Sequence, residues 1–370
     1  MKKAAPVHIL ISSAGNAADI RYLCGAEPPE PAVLILNGAR GTLIVSEMEY
    51  NRLRRTVKRS IAVVHPELIG SSWKKGPADW IKKTVTGKKL TVASGFPFGL
   101  AEKLKRAGRK LEISETPLCP QRERKTADEI SAVKKAQRAA VAAMNAAIQQ
   151  IASSQIGKDG LLRCGRTVLT SEMVRATICR TLLDRDCVAT ETIVACGPHS
   201  ADPHERGAGP LRAGQPIVLD IFPRSTATGY WGDLTRTVCR GPAPAELKKM
   251  YNTVKAAHAA ALSAVKAGAW TDAVHKAAAD EMEKRGYKTK TIDGVPQGFI
   301  HGAGHGVGLE IHEAPRVSSA VHKKLRAGNI ITIEPGLYYP HIGGIRIEDT
   351  IAVTKDGHQM LASCPKKLEI

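Results

Sequence analysis

At 370 residues the chain has room for two or three domains, and its 43% hydrophobic content supports a sizeable core, although no run of 18 apolar residues suggests a transmembrane helix. Only 4% of residues are aromatic, so that core is expected to be mostly Ala, Val, Leu and Ile. The formal charge is +19 and uneven, with 16 Lys/Arg against 5 Asp/Glu between residues 51 and 115. A run of this kind reads first as a solvated basic face. Base stacking would need interleaved aromatics, and only Trp73, Trp80, Phe96 and Phe98 are at hand, so neither nucleic acid nor membrane is an expected partner. The eight cysteines show no CxxC pair and no zinc-finger spacing, which predicts free thiols and a cytoplasmic protein.

In chain order, MKKAAPVHILISSAGNAAD has the look of a secretory leader. Its apolar core is short and contains His8, which predicts a first β-strand at 7–12 instead. AVLIL (32–36), TLIVS (42–46) and IAVVH (61–65) read as further strands, and EMEYNRLRRTVKRS as a helix, giving an α/β domain over 1–118. TPLCPQRERKTADE (116–129) reads as a linker into a second domain over 119–370. Thr126 and Glu129 form a capping-box pattern. Ile130, Val133, Val141, Met144 and Ile148 follow at helical spacing, with Gln137 the one polar break. A helix near 171–184 leads to strands bearing Asp220 and Asp233. Helices at 245–266 and 271–285 lead to strands bearing Glu334 and Glu348. Two helices followed by acid-bearing strands, twice over, predict two related αα-β halves.

The acids are the chemical signal. VLDIF places Asp220 inside an apolar strand, which is costly unless the carboxylate is paired or metal-bound. A lone strand aspartate is usually a hydrogen-bonded structural residue, and Glu348 alone could simply pair with Arg346. Together with the His-rich glycine segment FIHGAGHGVGLEIHEAP (299–315), ITIEPGLYY (331–339) and GGIRIEDT (343–350), however, four carboxylates and an imidazole make a donor set for two hard or borderline divalent ions.

These motifs resemble those of the metallopeptidases that include methionine aminopeptidase, prolidase and aminopeptidase P, the pita-bread fold. DIRYLCG and the two-domain layout resemble the creatinase/prolidase/aminopeptidase P branch. The resemblance implies an α/β N-terminal domain before an α+β catalytic domain, and a hydroxide bridging two metal ions that cleaves Xaa-Pro bonds. It assigns Asp220, Asp233, His305, Glu334 and Glu348 as metal ligands, with Mn²⁺ favoured over Co²⁺ or Zn²⁺ by the oxygen-rich set. By the same resemblance, Glu334 shuttles the proton and His312 stabilises the tetrahedral intermediate. His204 contacts substrate near the leaving group, and Arg346 orients substrate and carboxylates. It gives His301 no role, and it implies a homodimer. Asp220 and Asp233 stand thirteen residues apart where the family has eleven, and the retained GYWGDLTRT places the extra residues in the loop between strands. A creatinase-like hydrolase would lack the metal ligands. A metal-free pita-bread binding module for a polyanion or protein partner is the alternative function.

Overall fold

A computed structural model describes residues 6–12, 17–29 and 31–370, so the charged start of the leader-like stretch lies outside the described residues. The chain divides into two compact units, Met1–Arg122 and Glu123–Ile370. The division falls four residues beyond the 118/119 junction expected from the sequence.

In the first unit the elements run β1 (Val7–Ile11), α1 (Ala17–Cys24), β2 (Val33–Asn37), β3 (Arg40–Ile44) and α2 (Glu47–Thr56), then β4 (Ile61–Val64), α3 (Gly76–Thr84), β5 (Lys89–Val92), α4 (Phe98–Arg106) and β6 (Lys110–Ile113). They build one six-stranded sheet in the order β4-β3-β2-β1-β5-β6. All strands are parallel to β1 except β2, which pairs antiparallel with both its neighbours. Successive strand residues face opposite sides. Ile9 and Ile11 therefore pack with Trp80 and Leu104 of α3 and α4, whereas Leu10 packs with Ile20 and Leu53 of α1 and α2. Covering both faces explains why these strands read as continuous apolar runs rather than alternating ones.

The second unit opens with α5 (Ala127–Ala152), whose capping box is formed: Glu129 N–H donates to Thr126 Oγ1, and Thr126 N–H donates to the Glu129 carboxylate. α6 (Ser171–Leu183) follows, then the antiparallel strands β7 (Ile193–Cys196), β8 (Ile217–Ile221) and β9 (Leu234–Val238), with β8 central. Ala139, Ala140, Ala143 and Ala147 let α5 lie close over Leu219 and Ile221 of β8 and Val174 and Ile178 of α6. α7 (Ala245–Ala264) and α8 (Thr271–Lys284) repeat the arrangement. They pack on a five-stranded sheet made of β10 (Gly304–Gly306), β11 (Glu313–Val317), β12 (Ile330–Ile333), β15 (Asp349–Val353) and β16 (His358–Met360), with the hairpin β13 (Gly336–Tyr339) and β14 (Gly343–Arg346) between β12 and β15. Met250, Val254, Val274 and Ala278 fill that second core against Ile331 and Ile351. Each half is thus a helix pair laid on strands whose ends carry the acids.

Candidate metal centre

Asp220 and Thr235 are directly opposed in an unbroken register from Ile217↔Val238 to Ile221↔Leu234. Their side chains share a face, and Asp233, two residues before Thr235, shares it too. The thirteen-residue interval is therefore absorbed in the connection between β8 and β9, and both strands keep their facing. Asp233 is fixed by its backbone. Its N–H donates to Gln137 Oε1 (2.7 Å), and its carbonyl accepts from Gln137 Nε2 (2.8 Å) and Thr350 Oγ1 (2.7 Å). Gln137, the polar break in the apolar stripe of α5, is buried for this purpose. Gly232 permits the approach, since a Cβ there would lie 2.7 Å from the α5 backbone.

The other half contributes across the same space. His305 lies in β10 between two glycines, and a Cβ on Gly304 would stand 2.0 Å from the Thr332 carbonyl. His305 Nδ1 lies 3.1 Å from the Gly306 carbonyl and takes the N–H there. Nε2 is left as a lone pair 3.3 Å from Glu334 Oε1 and 3.5 Å from Asp233 Oδ2. Burial holds this imidazole neutral, with its pKa lowered to about 4. Glu334 follows β12, and Glu348 sits between β14 and β15, accepting a 2.7 Å hydrogen bond from Thr235 Oγ1. One donor atom each of Asp233, His305 and Glu348 lies within 4.8 Å of the others.

The electrostatics of this group are unfavourable for protein alone. Burial pushes the Asp233 and Glu348 carboxyls well above the ordinary range, and mutual repulsion within the acid cluster adds to it. Burial also raises Glu334, to about 7. Asp220 Oδ1 and Glu348 Oε1 are buried without a hydrogen-bond donor. Orphaned carboxylate oxygens beside a neutral imidazole lone pair are what a divalent cation satisfies, so the residues present fit metal.

The remaining expected residues divide. His204 and His312 line the same cavity of about 640 Å³ as the acids and the imidazole. The His312 ring meets His305 edge-on with centroids 4.4 Å apart, and burial lowers its pKa to about 4. Arg346 is 4% exposed and its guanidinium is committed inward, to Asp220 Oδ2 (2.8 Å), Tyr338 Oη (2.7 Å) and Thr235 Oγ1 (3.3 Å). His301, without a role from its motif, places Nε2 2.9 Å from Tyr338 Oη. With its other nitrogen bonded to the Gly302 carbonyl at 2.7 Å, it accepts the phenol proton. Tyr338, Thr235 and Thr332 were not among the residues singled out in the sequence. Their signal is thin: Thr235 and Thr332 each stand two residues from an acid, and Tyr338 stands four residues after Glu334.

This architecture is that of a metallopeptidase. The chain belongs to metallopeptidase family M24, whose pattern covers residues 131–355, and residues 4–125 match the creatinase/prolidase N-terminal domain. It is a peptidase with the pita-bread fold, and membership of the family implies divalent metal ions. The chain is 31% identical over 354 residues to the Xaa-Pro dipeptidase of Pyrococcus horikoshii, covering 95% of this chain and 92% of that one. Its structure superimposes on prolidase from Pyrococcus furiosus with a TM-score of 0.83 at 27% identity, covering 98% and 97% of the two chains. The fold is also that of aminopeptidase P from E. coli, with a TM-score of 0.76 at 19% identity, covering 99% and 93%. Among the described residues, no helix is long and apolar enough to cross a membrane.

Proposed function

We propose that this peptidase cleaves the bond before proline in short peptides, with Asp220, Asp233, His305, Glu334 and Glu348 holding two divalent ions. The observation that carries the reading is the buried carboxylate cluster with two orphaned oxygens around a neutral imidazole lone pair. The oxygen-rich set suits Mn²⁺, with Co²⁺ or Zn²⁺ as substitutes. Bound there, such ions supply Lewis-acid polarisation of a carbonyl and an activated water at neutral pH.

The chain's own residues supply the rest. Glu334, just after β12 and on the cavity wall, can take a proton at Oε and return it to the leaving nitrogen. His312, neutral above about pH 4, can donate an N–H to the developing oxyanion of the scissile carbonyl. His204, on the cavity wall, contacts substrate beside the leaving group. Arg346 acts through Asp220, to which Nη2 donates while Nη1 and Nε are held by Tyr338 and Thr235. Arg316 lines the cavity and has no ion-pair partner among the described residues, so it can receive the free carboxylate of a dipeptide. The named activity of the Pyrococcus relative agrees with a dipeptidase. A bond before proline is a tertiary amide without an N–H, so a site can enclose that nitrogen without offering an acceptor. A C₂ homodimer is the commonest closed assembly, and eight free cysteines suit the cytoplasm.

The test is metal analysis followed by kinetics on Ala-Pro, Ala-Pro-Ala and Ala-Ala with Mn²⁺. Two ions per chain and a kcat/KM order of Ala-Pro, Ala-Pro-Ala, Ala-Ala are expected. Faster turnover of Ala-Ala than of both proline peptides would overturn the specificity. Less than one ion per chain would overturn the dinuclear site.

A further inference from the structure

In the first unit the charge is sorted along the sheet. Because β1, β3, β4, β5 and β6 are parallel, their N-terminal ends lie together at one end of the sheet, and the turns entering them collect there. The packing agrees: Arg109 donates to the carbonyls of Lys82, Val85, Thr86 and Gly87, and Lys58 N–H donates to the Cys24 carbonyl. Arg40, Arg54, Arg55, Lys58 and Arg59 occupy one side of that end, and Lys82, Lys83, Lys88, Lys89, Arg106 and Lys110 the other, all exposed. Glu112 is the carboxylate that pairs among them, with Lys89 (3.0 Å) and Lys110 (3.8 Å). Arg40, Arg55, Arg59, Lys82, Lys83, Lys88 and Arg106 have no ion-pair partner among the described residues. Glu47, Glu49, Glu67 and Asp79 lie in segments that follow the C-terminal ends of these strands, at the opposite end.

Helix-dipole compensation accounts for part of this. Arg54, Arg55, Lys82, Lys83 and Arg106 stand in the last turns of α2, α3 and α4, where a cation is favoured. It does not account for Arg40, Lys58, Arg59, Lys88, Lys89 and Lys110, which lie in turns and at strand starts. Nor does it account for the cavity of about 420 Å³ that opens among them, with Asn37, Arg40, Thr42, Thr84 and Thr86 on its wall.

We infer that this end of the N-terminal unit binds the phosphate backbone of a nucleic acid. Six strands at about 4.8 Å spacing make an edge roughly 24 Å long, enough to follow several phosphates, each strand of a duplex placing one about every 3.4 Å of helix axis. Among the described residues, the large apolar side chains exposed in this unit, Met48, Leu68, Trp73, Phe98 and Ile113, all belong to segments at the opposite end. A membrane-inserting or protein-docking face would carry apolar anchors among its cations, and among the described residues this face has none. The expectation against nucleic acid rested on missing aromatics, but backbone contact needs cations and hydrogen-bond donors rather than stacking. Binding is therefore independent of base sequence and steeply dependent on salt.

The experiment uses the full chain loaded with Mn²⁺, a fluorescein-labelled DNA duplex of about 20 base pairs, and anisotropy between about 50 and 200 mM salt. A Kd near or below about 10 µM at the lower salt is expected. The variant combining Arg59→Gln, Lys82→Gln, Lys83→Gln, Lys88→Gln and Arg106→Gln should raise Kd at least about tenfold and reduce the salt slope by about 3 to 5. The control combining Lys255→Gln, Lys266→Gln, Lys284→Gln, Lys290→Gln and Lys355→Gln loses the same charge from exposed sites of the second unit, and should change Kd less than about threefold. Unchanged peptidase activity and unfolding temperature in both variants establish that each is folded. Equal losses in the two variants would reduce the effect to net charge and overturn the inference. So would no binding by wild type, tighter binding of inorganic polyphosphate through the same five residues, or binding to phosphatidylserine vesicles without binding to DNA.

Discussion

The two units handle like charge in opposite ways. In the first, a dozen or so cations crowd one end of a sheet and stay in water, where two unit charges 4 Å apart interact by only about 1 kcal/mol and salt screens them further. In the second, four carboxylates are drawn into the joint between two sheets, where the effective dielectric is lower and the same separation costs about 4 kcal/mol. Burial and repulsion together push the Asp233, Glu334 and Glu348 carboxyls upward. Repulsion on a surface is tolerated without a partner, whereas repulsion in an interior demands a counter-charge that the protein does not supply. Arg346 is the one guanidinium inside the cluster, and it reaches Asp220 alone among the acids.

Removing one buried acid should have the largest effect. Glu348→Gln keeps an acceptor for Thr235 Oγ1 but removes a charge. Activity should fall about 10³-fold, the equivalent of several kcal/mol of transition-state stabilisation supplied by bound metal. Thermal melts should move in opposite directions. The chelated variant should melt higher than chelated wild type, and the metal-loaded variant lower than loaded wild type. If both shift downward, the acid cluster is not strained without metal.

Next in size is His312, which shares the cavity but not the charge. His312→Ala should lower kcat by roughly 10²–10³ with little change in KM, as for loss of an oxyanion donor. Metal content by atomic absorption should be unchanged. Loss of metal would move His312 into the ligand set.

The third expectation concerns pH. In chelated protein Glu334 titrates near 7 when folded, against an ordinary value of about 4.5. Between these values the folded state holds more protons than the unfolded, so stability is fully present below about pH 4.5 and is lost as pH rises through 7. At about 1.36 kcal/mol per pKa unit the loss is on the order of 3 kcal/mol from this group. Urea melts of chelated protein should show the decline between pH 5 and 8, and saturating Mn²⁺ should abolish it. A flat profile without metal would mean that the acids share protons or solvent more freely than their burial suggests.

Removing surface cations should have the smallest effect. Arg59→Gln and Lys83→Gln remove exposed, unpaired cations, and each should change unfolding free energy by less than about 0.5 kcal/mol, with a gain as acceptable as a loss. A destabilisation well above 1 kcal/mol in either would show that these cations hold the N-terminal unit together.

Much of the fold was legible from local pattern. The strands at 7–11, 33–37 and 61–64 and the helices beginning at 127, 171, 245 and 271 follow from β-branched runs, helical spacing and a capping box, which are properties of neighbours in sequence. The acids and the imidazole that converge on one cavity were legible as types, because an acid in an apolar strand is conspicuous and the glycines around His305 mark a close approach. Sequence could not say which hydroxyls and amides orient them. Gln137 reaches Asp233 across 96 residues, Thr235 reaches Glu348 across 113, and the His301–Tyr338–Arg346–Asp220 chain joins three separate elements. Each is an ordinary polar residue until the sheet register brings it opposite an acid. The basic run between 51 and 115 was visible as composition, but its confinement to one end of a sheet was not. That confinement comes from the parallel topology, in which α2, α3 and α4 each run back to the end where the next strand begins, so cations scattered along the chain meet in space.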